Sequence, residues 1–215
     1  NDEVLIRLES PGGMVNAYGL ASSQCQRLKN ANIKFTVAVD KVAASGGYMM
    51  ACIGDAILAA PYAIVGSIGV IAQLPNFHRF LEKRQIDFEQ VTAGQYKRTL
   101  TVFGENTKKD RQKMQEEVDD MHELFKSHIS EHRPQVDIQE VATGEHWLAA
   151  RAIDKKLIDL IQTSDDFLLK SKENFDIYKI QYKIKQPWNK RMAIGLNTLF
   201  AKLTHPTSGG GRDYI

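Results

Sequence analysis

Phe35-Thr36-Val37-Ala38-Val39, followed after Asp40-Lys41-Val42 by Ala43-Ala44-Ser45-Gly46-Gly47-Tyr48, is the stretch on which the fold reading turns. A continuous apolar, β-branched run without alternation predicts a strand buried on both faces, as in a parallel sheet. Ser45 to Ile53 then predicts a helix, which leaves Ser45 at the junction between strand and helix. Upstream, Val4–Leu8 is a second short apolar run. Ser10-Pro11-Gly12-Gly13 makes a turn after it, and Met14–Asn30 carries Val15, Leu20 and Leu28 at helical intervals. Downstream, Ala56–Ala59 predicts a strand, Val65–Leu74 a strand with a glycine-bearing bend, and Phe88–Val91 a short strand ending at Ala93-Gly94. Strands alternating with helices place the chain in the α/β class.

The second half reads as mostly helical. Thr107 and Asp110 form a capping box, and the helix they start runs towards Glu131, ahead of Pro134. Met114, Val118, Met121, Leu124, Phe125 and Ile129 are expected on one face, packed on the domain or on another subunit. Helices follow at Val136–Ala142 and Trp147–Lys155, then Leu157–Ile161, and Ser164 is the expected cap of a helix over 165–172. Tyr178, Ile180, Tyr182 and Ile184 alternate with polar residues, predicting a half-exposed strand. An amphipathic helix over 189–203 and a flexible Ser208-Gly209-Gly210-Gly211 complete the tail. The expected division is a domain over 1–175 and an appendage over 176–215.

The 215 residues are 43% hydrophobic and 25% charged, with a net charge of +2 from 28 basic and 26 acidic residues. That balance suits a globular fold with a real core and gives no reason to invoke nucleic acid. Cys25 and Cys52 have no metal-type spacing and read as two small buried thiols. Val42–Leu74 holds one charge, Asp55, and is long enough to span a bilayer. Its repeated glycines and Pro61 would leave backbone groups unpaired in lipid, so it reads as the centre of a water-soluble fold. A native chain rarely opens a few residues before a central strand, so a preceding segment, with any membrane anchor in it, is expected.

Amide hydrolysis requires an activated nucleophile, a base and amide donors for an oxyanion. Ser45 at the start of a helix has the position a nucleophile needs, although a serine there is also a common N-cap. The glycine pairs at 12–13 and 46–47 expose bare amides, and both loops follow neighbouring predicted strands, where α/β sheets hold ligands. His78 is the one histidine placed to serve as a base. His122, His128 and His132 read as surface residues of the long helix, and no metal cluster or cofactor is indicated.

Ser10-Pro11-Gly12-Gly13, Ala44-Ser45-Gly46-Gly47-Tyr48, Gly66-Ser67-Ile68-Gly69-Val70 and Gly94-Gln95-Tyr96-Lys97 occur in the order found in the signal peptide peptidase A family. The chain resembles that family from about Val4 to Ile161, with its nearest likeness to the SohB-type inner-membrane peptidases of bacteria; Thr143–Ile161 also resembles a later block of the family. The resemblance implies a crotonase-like (ClpP-like) fold with a helical C-terminal part and a Ser/Lys dyad of Ser45 and Lys97. It further implies Ser67 as the residue orienting the lysine, and Gly12 or Gly13 with Gly46 as the oxyanion hole. Peptide substrates, a homo-oligomer, an inner-membrane location with a periplasmic domain, and membrane association through a segment outside this chain follow as expectations. A solvated lysine, with a pKa near 10.4, is a poor base, and burial is what lowers it; Leu100, Val102 and Phe103 near Lys97 suggest such cover. An acyl-CoA-processing enzyme of the same fold, or a non-catalytic scaffold, is the alternative. The former needs a carboxylate base, and none adjoins these glycine loops.

Overall fold

The computed structural model describes residues 2–182 and divides the chain into two units, 1–175 and 176–215. In the first unit the elements run β1 (Glu3–Arg7), α1 (Val15–Asn30), β2 (Lys34–Val39), β3 (Val42–Ala44), α2 (Gly46–Ala51), β4 (Ala56–Ala59) and β5 (Ile64–Gly66). Then follow α3 (His78–Glu82), α4 (Lys108–His132), α5 (Ile138–Val141), β6 (His146–Leu148), α6 (Ala149–Ala152), β7 (Leu160–Ile161) and α7 (Ser164–Ser171). β1, β2, β4 and β7 form a parallel sheet in the order β1-β2-β4-β7. A second sheet has the order β3-β5-β6, with β3 and β5 parallel and β6 antiparallel to β5.

Phe35–Val39 lies inside the parallel sheet. Phe35, Val37, Ala38 and Val39 are fully buried in β2, between β1 and β4, which is why the strand carries no polar alternation. α1 packs against α2 and β2. Tyr48 is completely buried and its hydroxyl donates to the Leu157 carbonyl at 2.7 Å, anchoring α2 to the loop before β7. The turn from β2 into β3 is fixed by Glu9, whose carboxylate accepts the amides of Asp40, Lys41 and Val42, each at 3.1 Å.

Several expected elements differ. The strand expected over 65–74 stops at Gly66, because Gly66 and Ser67 take φ of +98° and +52° and turn the chain out of the sheet. β5 therefore lies between β3 and β6 and offers no free edge for a substrate strand. No strand forms over 88–91, where every residue is exposed. Trp147 is not helical: it pairs with Val65 in β6, and its ring covers Gly66. The capping box at Thr107 is present, and of the expected stripe on α4 Phe125 and Ile129 are buried and Met114, Val118 and Met121 half-buried, while Leu124, 65% exposed, falls off it. α7 is capped by Thr163 rather than Ser164, which is buried and donates its hydroxyl to Asp40 at 2.6 Å. In the second unit no strand forms over 178–182. The remainder of the expected strand, the 189–203 helix and the glycine-rich end lie outside the described residues.

Arg133, 3% exposed, grips both carboxylate oxygens of Asp159 at 2.8 Å and donates to the Lys156 carbonyl. Asp159 in turn accepts the Ile57 amide of β4 at 2.7 Å. Arg133→Met is expected to lower unfolding free energy by about 2–3 kcal/mol, below the cost for a fully buried pair because Asp159 is partly hydrated. Urea denaturation measures it, and an unchanged midpoint contradicts the assignment.

Candidate functional site

Ser45 has φ +52° and ψ −122°, a conformation that an L-residue adopts only when its surroundings impose it. The imposing contacts are local: its amide donates to the Gly66 carbonyl at 2.8 Å, and its own carbonyl accepts from Met49 at 3.0 Å in the first turn of α2. The N-cap alternative is not what is found. The Ser45 side chain makes no capping hydrogen bond, so the strain is not repaid by a satisfied helix terminus. Ser45 is half-buried while Ala43, Ala44, Gly46 and Gly47 around it are buried, so it keeps partial access to solvent from within a packed segment.

Three chain segments converge here. Ser10 bridges Ala43 in parallel, which lays the 10–13 loop beside β3. Ala44 pairs with Gly66, so Ser45 and Ser67 leave adjacent strand ends. Gly12, at φ +97°, lies so close to Ser45 that a Cβ on it would stand 2.7 Å from the Ser45 Cβ and 2.9 Å from the Gly46 nitrogen. A Cβ on Gly47 would meet the Ser10 carbonyl oxygen at 2.4 Å. The glycines are thus required by backbone approach and not merely by turn geometry. Gly12→Ala is expected to lose about 2–4 kcal/mol of stability from overpacking at a positive φ. Denaturation midpoints compared with Gly19→Ala, where a Cβ meets nothing within 4 Å, provide the check.

The Gly12 amide is not free, for it donates to Ser10 Oγ at 3.3 Å. By contrast the Gly13 and Gly46 amides have no hydrogen-bond acceptor among the described residues. Of the glycines that sequence placed near an oxyanion, these two keep donors available. Tyr18, which the sequence reading passed over as one residue of a helix, lies against both: a Cβ on Gly46 would meet its ring at 2.4 Å, and one on Gly13 at 2.9 Å. Its hydroxyl donates to the Gly12 carbonyl at 3.0 Å and pairs with Ser10 Oγ at 2.6 Å. The signal for it was a tyrosine about one turn into the helix that follows a Gly-Gly turn.

Ser67 is half-buried at φ +52°, held by its amide bond to the Glu145 carbonyl at 2.6 Å. Lys97 lies elsewhere. It is exposed, on an irregular arm of residues 70–106, and lines a cleft of about 600 Å³ with Phe88, Val91, Val102 and Phe103 that includes none of Gly12, Gly13, Ser45, Gly46 or Ser67. The arm closes on itself through the Phe77 amide bond to Val102, Asn76 bonds to Thr101 and Gly104, and the tilted rings of Phe77, Phe88 and Phe103. Within one chain, then, no hydrogen bond joins Lys97 to Ser45. His78 starts α3 on the same arm and has no side-chain bond to Ser45 either.

The helix histidines are not free surface groups. His128 Nε2 bonds the Met49 carbonyl at 3.0 Å, His122 Nε2 the Ile68 carbonyl at 3.3 Å, and His132 the His128 carbonyl and Gln26. Burial lowers the pKa of His128, partly opposed by its bond to Met49. Cys52, His128 and His132 bring potential ligand atoms within 4.8 Å of one another, a grouping invisible in their spacing. Each is satisfied by protein acceptors, and Cys52, whose thiol burial pushes up to about 12, donates to Met49 at 3.3 Å. His128 thus ties α4 to α2, and His132 ties α4 to α1. Both thiols are free and buried, as expected.

Comparison with known proteins adds a family. Residues 27–177 match the model of peptidase family S49, and residues 1–25 match that of the peptidase family S49 N-terminal region. Among curated relatives, a probable protease SohB of Haemophilus influenzae is 55% identical over 185 residues, covering 86% of this chain and 52% of the relative. Probable SohB proteases of two Buchnera aphidicola subspecies, Acyrthosiphon pisum and Schlechtendalia chinensis, are 56% and 58% identical over 85% and 79% of this chain and 54% and 55% of their own lengths. The chain spans about half the length of the curated relatives it matches.

Proposed function

The chain belongs to peptidase family S49, close to SohB, and from that premise we propose that it is a serine peptidase with Ser45 as nucleophile and Lys97 as general base. The observation that carries the reading is the strained Ser45, without a capping role, next to the unpaired Gly46 amide and against the 12–13 loop, whose Gly13 amide is also unpaired. Backbone strain of this kind concentrates where a nucleophile must stand clear of its own helix. In the proposed cycle Ser45 Oγ attacks the scissile carbonyl carbon and neutral Lys97 Nζ takes the hydroxyl proton. The Gly13 and Gly46 amides receive the oxyanion. Collapse breaks the C–N bond, the leaving amine takes the proton from Lys97, and water then attacks the acyl-enzyme with Lys97 taking its proton; the acyl C–Oγ bond breaks and that proton passes to Ser45 Oγ. Ser67, leaving the sheet beside Ser45, is proposed to orient the lysine. No cofactor takes part in this cycle.

Lys97 must reach Ser45 for this to operate. Ile71, Phe80, Val91 and Tyr96 leave the arm with an apolar surface facing water. A homo-oligomer that covers the arm, and brings Lys97 to a Ser45 of the same or a neighbouring copy, is part of the proposal. Mixed α/β architecture around a parallel sheet is compatible with the crotonase-like fold, which is proposed with it. Substrates are proposed to be extended, apolar peptides such as remnants of signal peptides. Among the described residues no helix is long and apolar enough to cross a membrane, so the proposed inner-membrane association, with a periplasmic domain, rests on segments outside this chain. The test is labelling by a serine-directed fluorophosphonate followed by peptide mapping: an adduct on Ser45 is expected, and its absence, or an adduct elsewhere, overturns the reading.

A further inference from the structure

We infer that Tyr18, acting with Ser10, is a positioning residue that fixes which loop amide is left to receive negative charge. The inference rests on the peptidase reading above. Proton counting orders the cluster without ambiguity. The Tyr18 hydroxyl has one hydrogen, and it goes to the Gly12 carbonyl at 3.0 Å. The 2.6 Å contact with Ser10 is then donated by Ser10, whose oxygen accepts the Gly12 amide at 3.3 Å. A ring results: Gly12 N–H to Ser10, Ser10 to Tyr18, Tyr18 to Gly12 C=O. Both polar atoms of Gly12 are consumed by it.

The consequence follows from peptide planarity. In the trans unit between residues 12 and 13, the Gly12 C=O and the Gly13 N–H point in opposite directions. Tying the carbonyl to Tyr18 therefore directs the Gly13 N–H away from the tyrosine, and that amide is one of the two without an acceptor. Gly12, at φ +97°, has little intrinsic conformational preference, so an untied 12–13 peptide can rotate and trade a donor for an acceptor at the site. The ring of Tyr18 adds a second constraint, since it packs on the Cα of Gly46 and of Gly13 and sets the separation of the two donor-bearing segments. The hydroxyl sets direction, and the ring sets spacing. Preorganised donors are effective because they need no reorganisation when charge develops.

The experiment uses the purified chain with a fluorogenic peptide and a fluorophosphonate. Tyr18→Phe is expected to keep the fold and KM while lowering kcat and the rate of Ser45 labelling about 10-fold, a fraction of the loss on deleting an oxyanion donor outright. Ser10→Ala is expected to match it and Ser10→Thr to restore the rate. The double variant Ser10→Ala, Tyr18→Phe should be no slower than either single one, because the three bonds act as a unit. Wild-type labelling at Ser45 together with an unchanged Tyr18→Phe rate overturns this inference and leaves the peptidase reading standing. Multiplying effects of the two substitutions, or a rise in KM at constant kcat, overturns it as well. No wild-type labelling at Ser45 overturns the peptidase reading itself.

Discussion

Ser45→Gly is expected to yield a protein that is inactive and at the same time slightly more stable than the wild type. Loss of Oγ removes the nucleophile, so fluorophosphonate labelling should vanish and peptide cleavage should fall by about 10⁴-fold or more. Stability moves the other way for a separate reason. At φ +52°, ψ −122° a side chain costs about 1–3 kcal/mol, whereas glycine adopts this region freely at an unfolded-state entropy cost of about 0.5–1 kcal/mol. The hydroxyl gives nothing back, since it makes no capping bond. The net gain is about 1 kcal/mol, which at this chain length corresponds to a rise of about 2–4 °C in Tm. Ser45→Ala serves as the comparison: equally inactive, but still carrying the Cβ and the strain. A Ser45→Gly protein that is less stable than Ser45→Ala contradicts the conformational account. One that still labels contradicts the nucleophile.

Legibility in the sequence followed the range of the forces involved. β2 was readable because a strand buried on both faces must be apolar at every position, and Phe35 to Val39 is. Ser45 was readable only as a position, since a serine between strand and helix is compatible with a cap; the positive φ that separates the two readings is a product of the Gly66 bond and the Gly12 approach. Glu9, Tyr18 and the Cys52–His128–His132 group stayed hidden because their partners are contributed by other elements. Glu9 reaches amides 31 to 33 positions away, and His128 a carbonyl 79 positions away. Trp147 was misassigned to a helix because a three-residue strand that borrows its pairing from β5 has no periodicity of its own. The arm failed for the opposite reason. Its apolar residues imply burial, yet the single chain leaves them open, so Phe88–Val91 reads as a short strand and forms none.

That open arm frames the second large effect. Lys97→Met is expected to reduce cleavage and Ser45 labelling by about 10³-fold or more, since Ser45 then has no group to take its proton. Lys97→Arg should be as inactive, because a guanidinium stays charged and cannot accept that proton. Neither change should disturb the fold, as Lys97 is exposed in the isolated chain and makes no ion pair among the described residues. Mixing the Lys97→Met and Ser45→Ala proteins distinguishes the two ways of bringing the residues together. If a neighbouring copy supplies the lysine, mixed assemblies contain sites with Ser45 from one parent and Lys97 from the other, and part of the activity returns. If the arm folds over its own Ser45, every site in the mixture lacks one partner and activity stays absent. Full activity in Lys97→Met alone would remove the lysine from the mechanism and make His78, on the same arm, the first residue to substitute.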